Sequence, residues 1–353
     1  MASSSRASVA VTGLAAGENP APGVAVARSL RAGGFRGRLI GLTFDARHTG
    51  AHTSHFDAVH VTPPPAAGAA GFLDALRDVI RKEDVRVVVP TLDPEALLCA
   101  AARVPLARLG ARTLLPGEIA IRRIAKTQLG ALARRVGFEA PRTMVVSSTA
   151  TLESAVRELG LPLVLKGSFA DSEIAANAED AVRAFGKLGS RWGFPLLAQE
   201  LITGDELDLA VLYDRASKRV GAVPMRKLGL TSRGKAWAGV TVEAPEFIRL
   251  ADGLMRALRW SGAAELEVIR ERTSGALYLI EVNPRFPAWI YLTTAAGVNL
   301  PWALVRVALG ETVKPLPPAP AGVLFTRTIE DHFGPIGSTN GHAGADAPAG
   351  HRR

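Results

Sequence analysis

Glu281, Asn283 and Arg285 occupy alternate positions in YLIEVNPRF (residues 278–286), directly after the apolar run LYLI. Side chains two apart on a strand share a face, so Glu281 and Asn283 project together, with Arg285 just beyond them. A strand that starts apolar does not end in three polar groups without partners, because burying an unpaired polar group costs roughly 2 to 7 kcal/mol. Glu267 lies fourteen residues upstream, in GAAELEVIRERTSGALYLIEVN. Its RERTSG segment has turn composition, so 263–270 and 276–283 read as an antiparallel hairpin in which Glu267 and Glu281 face one another. Carboxylates that close repel unless a cation lies between them. Carboxylate and amide oxygens suit a hard cation such as Mg²⁺, which draws further ligands from phosphate oxygens. The competing reading is a surface hairpin with solvated charges, and the apolar run before Glu281 weighs against it.

Two further groups could act on the same ligand. Lys166 ends the apolar run GLPLVLKGS, and Lys126 lies in the helical segment EIAIRRIAKTQLGALARRVG; the chain has only eight lysines. A strand-end lysine snorkelling to solvent is the alternative for Lys166. In LLAQELITGDELDLAVLYD (196–214) an apolar strand runs through Glu200, Leu201 and Ile202 to a glycine turn, then to Glu206 and Asp208. A backbone edge followed by acids can hold a nucleotide's base and ribose hydroxyls, though this pattern alone has low specificity.

The elements that must position these groups follow from hydrophobic periodicity. From ASVAVTGL to ARTLLPG, short β-branched runs alternate with helical segments, which argues for a parallel sheet with helices on its faces. A small α+β unit follows over about 142–198, then the long strands DELDLAVLYD, RVGAVPMRKL, AELEVIRE and ALYLIEVN. After Thr312 the chain turns to VKPLPPAPAG and ends in GSTNGHAGADAPAGHRR, which is poor in core-forming residues.

Composition narrows the function classes. The formal charge is +9, but the basic residues are scattered and the aromatics are few, three Tyr and twelve Phe, unlike a nucleic-acid-binding stripe. No stretch has the length of a membrane span. One cysteine, Cys99, excludes an internal disulfide framework and fits a reducing, cytoplasmic compartment. The expected partners are therefore neither nucleic acid nor membrane.

Taken in this order, the three constellations resemble the ATP-grasp superfamily, in its carbamoyl phosphate synthetase and biotin carboxylase-like branch. The similarity covers about residues 9–312, and its most specific part is ELEVIRERTSGALYLIEVNPRF…AAGVNLP. It implies an α/β and α+β protein: a Rossmann-like parallel-sheet pre-ATP-grasp domain followed by a two-subdomain ATP-grasp fold. The expected divisions are a disordered tail at 1–8, the pre-ATP-grasp domain at 9–117 and a helical linker at 118–141. The lid subdomain then covers 142–198, the C-terminal subdomain 199–315, and a mostly disordered tail 316–353.

The resemblance also implies roles. Glu267, Glu281 and Asn283 match positions that bind two Mg²⁺ ions, with Mn²⁺ a permitted substitute. Arg285 matches a contact to phosphate or acyl-phosphate. Lys126 and Lys166 match contacts to the phosphates and adenine region of ATP, Glu200, Leu201 and Ile202 the adenine hinge, and Glu206 the ribose acid. The implied activity is ADP-forming ligation of a carboxylate to an amine or thiol through an acyl-phosphate. The implied substrate is a small molecule or peptide bearing a carboxylate, and a homodimer is compatible with the pattern. Use of bicarbonate, phosphorylation without ligation, or a non-catalytic nucleotide-binding module are the alternatives.

Several stretches depart from the family pattern or stand outside it. After Lys166 the lid loop reads KGSFADSEIAAN, with a single glycine, Gly167, and two acids, Asp171 and Glu173. Fewer flexible backbone N–H groups are then available to wrap phosphates. In VPMRKLGLTSRGKAWAGVTVE, Arg226, Lys227, Arg233 and Lys235 gather near Trp237, and the resemblance puts this strand and loop over the acceptor site. Arg226 and Lys235 are thus catalytic candidates beside Arg285, against the alternative of an exposed basic loop. Phe286, Trp289 and Tyr291 wall an acceptor pocket or belong to a core helix. The turn GLAAGENPAPG lacks the GxGxxG pattern of dinucleotide binding, although Asp45 follows the second strand. His48, His52, His55 and His60 are separated by Thr, Ser and Gly, which suits a loop more than a metal-binding helix face. Cys99 reads as packed, and no Ser-His-Asp arrangement is evident.

Overall fold

The computed structural model describes residues 6–17, 19–167, 171–231 and 234–328. Fourteen strands form three sheets among the described residues. The first contains β1 (Ser8–Val11), β2 (Leu39–Thr43), β3 (Ala58–Val61) and β4 (Val85–Val89), ordered β3-β2-β1-β4 with all pairs parallel. Its strands are almost wholly apolar because helices cover both faces: Val9 and Val11 pack toward the helix Pro22–Ala32, and Ala10 and Ile40 toward Ala69–Glu83. The expected strand in ARTLLPG is reduced to one isolated bridge, Arg112 to Val87.

The second sheet is antiparallel: β5 (Thr143–Val146), β6 (Leu163–Lys166), β7 (Ser172–Ala175) and β8 (Leu196–Glu200), ordered β5-β8-β6-β7. Two capped helices cover one face. Ser148 caps Thr149–Leu159 by accepting from Thr151 N at 3.3 Å, and Asn177 caps Ala178–Trp192 by accepting from Asp180 N at 2.9 Å. The other face, with Val145, Val164, Lys166, Ile174 and Leu197, carries no helix. Residues 168–170, the middle of the expected lid loop, lie outside the described residues.

The third sheet is the largest: β9 (Gly204–Tyr213), β10 (Arg219–Leu230), β11 (Ala236–Thr241), β12 (Gly262–Glu271), β13 (Leu277–Asn283) and β14 (Leu324–Thr326), ordered β13-β12-β9-β10-β11-β14. Alternation along β9 sorts its side chains. Leu207, Leu209, Val211 and Tyr213 join a core with Phe138 and the helix Pro245–Ala257, while Ala210 and Leu212 face the helix Leu300–Ala308 and the parallel sheet. Asp208 and Glu206 continue the Ala210–Leu212 row. At the start of β12 the backbone passes close to the parallel-sheet unit: Gly262 has φ +93°, and a Cβ there would sit 2.2 Å from Leu114 O.

Two expectations about the ends are revised. Ser8, assigned to an N-terminal tail, begins β1. Residues 316–328, assigned to a disordered tail, are part of the fold: Leu316 N donates to Val220 O at 2.7 Å, and β14 adds an antiparallel edge to β11. Leu316, Val323 and Phe325 rest against the core, so apolar burial outweighs the prolines before them. The remainder of both tails, 1–5 and 329–353, lies outside the described residues. Among the described residues no helix is long and apolar enough to cross a membrane.

Candidate active site

The hairpin of β12 and β13 sets Glu267 directly opposite Glu281, and Glu265 opposite Asn283. On its other side β12 pairs with β9, which puts Asp208 opposite Glu267. Directly paired residues project to the same face, so Glu206, Asp208, Glu265, Glu267, Glu281 and Asn283 form one acidic surface. Asp208, Glu265 and Asn283 are buried, and so many acids in one patch require cations.

Lys227 of β10 is the central one. Its side chain is 5% exposed, and its Nζ lies 3.1 Å from Glu206, 3.3 Å from Asp208 and 3.0 Å from Glu267. Burial alone would lower the pKa of this ammonium, but Glu267, Asp208 and Glu206 outweigh it and hold the pKa well above the ordinary lysine value. Burial pushes Asp208 well above the carboxylate range despite Lys227. Glu267, where burial is outweighed by Lys227 and Lys235, falls to about 2.

Glu265 organises the other end. It accepts from Arg285 Nη1 at 2.7 Å, Asn283 Nδ2 at 3.1 Å and Trp289 Nε1 at 2.9 Å. With three donors this carboxylate anchors Arg285 and Asn283 instead of being left for a ligand, though burial still raises its pKa against Arg285. Arg285 Nε also reaches Asp93 at 3.1 Å, at the start of the helix Asp93–Ala101, which ties the acidic face to the parallel-sheet unit.

Lys126, at the first position of the helix Lys126–Arg135, places Nζ 3.4 Å from Glu281. Lys166 is pushed down to about 8, first by burial and then by Lys126, while Glu281, Glu267 and Glu206 act in the opposite direction. These interactions put the helix-free face of the second sheet against the acidic face. Val145 and Ile174 on that helix-free face are 54% and 64% exposed, an uncovered apolar wall beside Lys166.

The other candidates are placed as follows. Glu200 pairs with Arg142 at 2.7 Å, leaving the backbone of Leu201 and Ile202 to span the step from β8 to β9. Lys235, at the entry to β11, is exposed and acts on Glu267 through its charge. Arg226 is not brought to the acids: it alternates with Lys227, projects from the opposite face and lies 4.0 Å from Asp205. Its catalytic assignment is therefore corrected, because the pleat gives the inward position to Lys227. Arg233 lies outside the described residues. Phe286 and Trp289 are core residues, and Tyr291 lies beneath Arg28 at 3.8 Å, so these aromatics do not wall a pocket.

Arg327 was hidden from sequence reasoning by the low-complexity character of its surroundings. β14 delivers it beside Trp237, whose carbonyl accepts from Arg327 N at 3.2 Å. Its Nε and Nη1 are buried with no hydrogen-bond partner among the described residues. Burial pushes its pKa down to about 10, with Glu265 near enough to oppose this.

Among the described residues no group of three or more Asp, Glu, His or Cys side chains is arranged to hold a metal ion, the three acids around Lys227 being taken up by its ammonium. The metal candidates are two carboxylates and an amide, Glu267, Glu281 and Asn283, and each carboxylate is now neutralised by a lysine. That donor set, oxygen-only and facing across one strand pair, fits a hard cation that takes its remaining ligands from phosphate.

A family model described as "ATP-grasp in the biosynthetic pathway with Ter operon" matches residues 194–331. The chain is 32% identical over 166 residues to D-alanine–D-alanine ligase of Xanthomonas axonopodis pv. citri, covering 42% of this chain and 51% of that protein. It thus spans about half the length of the curated relatives it matches first. Two solved structures share the fold. One is the biotin carboxylase domain dimer of Hydrogenobacter thermophilus 2-oxoglutarate carboxylase, in complex with MgADP, ADP and bicarbonate (TM-score 0.67, 18% identity, 86% of this chain and 70% of that one). The other is L-amino acid ligase of Bacillus licheniformis (TM-score 0.66, 16% identity, 88% and 78%). These matches show that residues 194–331 are similar to an ATP-grasp domain and that the chain shares the fold of these two solved structures.

Proposed function

We propose that the protein is an ATP-dependent, ADP-forming ligase that joins a carboxylate to an amine, or to a thiol, through an acyl-phosphate. The observation that carries this reading is the convergence of Lys126, Lys166, Lys227, Arg285 and Arg327 on one acidic face. Such a surface can hold an anionic triphosphate and a carboxylate together without bringing like charges into contact. Bound Mg²⁺ would neutralise phosphate charge from Glu267, Glu281 and Asn283. Lys126 and Lys166 hold the phosphates, and the apolar face of Val145 and Ile174 receives the base. The backbone of Leu201 and Ile202 and the carboxylate of Glu206 fix the base edge and ribose. Arg327 and Arg285 receive the substrate carboxylate, which takes the γ-phosphoryl group. An amine then displaces phosphate, leaving an amide, ADP and inorganic phosphate. No side-chain nucleophile is needed, because positioning and charge stabilisation do the chemistry.

The amino-acid ligases among the relatives favour an amino acid or peptide as substrate. The direct test is ADP release screened across amino acids, peptides and small acids, with hydroxylamine added to trap an acyl-phosphate. ATP binding with no ADP release for any carboxylate would refute the ligase reading. Arg327→Gln should raise the KM for the carboxylate about tenfold or more, in line with a lost charge-assisted hydrogen bond, and leave the affinity for ADP unchanged.

Lys166 makes nucleotide binding depend on pH. Its ammonium is lost as pH rises through about 8, and phosphate binds the charged form, so affinity for ADP should fall between pH 7 and 9. Lys166→Arg keeps its charge over this range and should flatten the profile in calorimetric titrations. Equal slopes for the two proteins would remove Lys166 from the phosphate site.

A further inference from the structure

A cavity of about 780 Å³ lies on the side of the third sheet away from the acidic face, between the β9–β10 turn, the helix Pro245–Ala257 and residues 315–318. Its size falls within the range of small-molecule pockets, roughly 300–1,000 Å³. One wall is apolar, formed by Ala222, Ile248 and Leu316 with neighbouring prolines. The opposite wall is polar and fixed in place: Tyr213 donates its hydroxyl to Asp252 Oδ1 at 2.8 Å, and Arg219 Nε lies 3.1 Å from the same oxygen. Asp252 is therefore already neutralised. Lys218 and Arg256 also line the cavity, and the side chain of neither makes a hydrogen bond or ion pair among the described residues. An apolar wall beside two cations that no described protein group pairs fits a ligand with the complementary halves.

We propose that this cavity is a second ligand site that takes a small amphipathic anion, its apolar part against Ile248 and Leu316 and its carboxylate or phosphate met by Lys218 and Arg256. The site is separate from the acidic face but mechanically close to it. Asp208 lies midway along β9 and Tyr213 at its end, five residues apart, or about 17 Å.

The test uses the full chain and three probes that share one alkyl group: octanoate, octyl phosphate and octylamine, titrated calorimetrically with and without saturating ADP. The expected result is that octanoate or octyl phosphate binds once per chain, octylamine does not, and ADP leaves binding intact. Whichever anion binds more tightly identifies the head group. In the double variant Lys218→Gln, Arg256→Gln the affinity should fall at least tenfold with the affinity for ADP unchanged. Both side chains are exposed, so the thermal midpoint should match that of the parent protein. Failure of both anions to bind, equal binding of octylamine, displacement by ADP, or unchanged affinity in the double variant would each overturn the proposal.

Discussion

Glu281→Gln should lower substrate-dependent ADP release by on the order of a thousandfold, since a bound metal's charge stabilisation is worth several kcal/mol. The substitution keeps the size of the side chain and removes its charge. Lys126, now 3.4 Å from the carboxylate, would lose its ion-pair partner but stays part-exposed, so folding should be little affected. The measurement is coupled-assay ADP release beside a thermal melt. Turnover within a few-fold of the parent, on a protein with an unchanged melt, would remove Glu281 from the reaction.

Lys227→Met should be the most destabilising single change near the site. The ammonium compensates three acids while 95% buried at the side chain. Removing one partner from a buried charge cluster costs about 3 to 5 kcal/mol, and activity should be lost with it. The pH dependence has a definite sign. Without Lys227, Asp208 keeps the raised pKa that burial imposes, and Glu267 loses the cation that holds it at about 2. A carboxyl whose folded pKa exceeds its unfolded value destabilises the fold once it ionises. The deficit should therefore grow as pH rises from 5 to 8 and shrink on acidification. Denaturant midpoints of parent and variant across that range measure it, and a pH-independent difference would mean that lost packing, not charge, is responsible.

These two residues also mark what the sequence reveals and conceals. The Glu267–Glu281 pairing is legible because its causes are local: an apolar strand, a turn-forming RERTSG segment and a strand ending in polar side chains at period two. The order of the three sheets follows in the same way from hydrophobic alternation. Lys227 was visible as one of four cations, but the choice between it and Arg226 depends on how β10 registers against β9. That register includes a shift between Arg219 and Gly221, and at Arg226 it pairs residues nineteen positions apart. Glu265 looks like an ordinary strand acid until Asn283, Arg285 and Trp289 close around it, and those donors are assembled only by the tertiary fold. Arg327 was concealed by composition. The proline-rich segment before it has no strand pattern, and three residues of edge strand are too few for periodicity to register.

The late position of Arg327 in the chain bears on how the protein becomes competent during synthesis. The hairpin, the two lysines and Arg285 all precede residues 324–327 in the chain. If Arg327 receives the carboxylate as proposed, a nascent chain could hold nucleotide while lacking its acid-binding cation. Translation itself would then withhold catalysis until the edge strand docks, protecting the ATP pool from half-made enzyme.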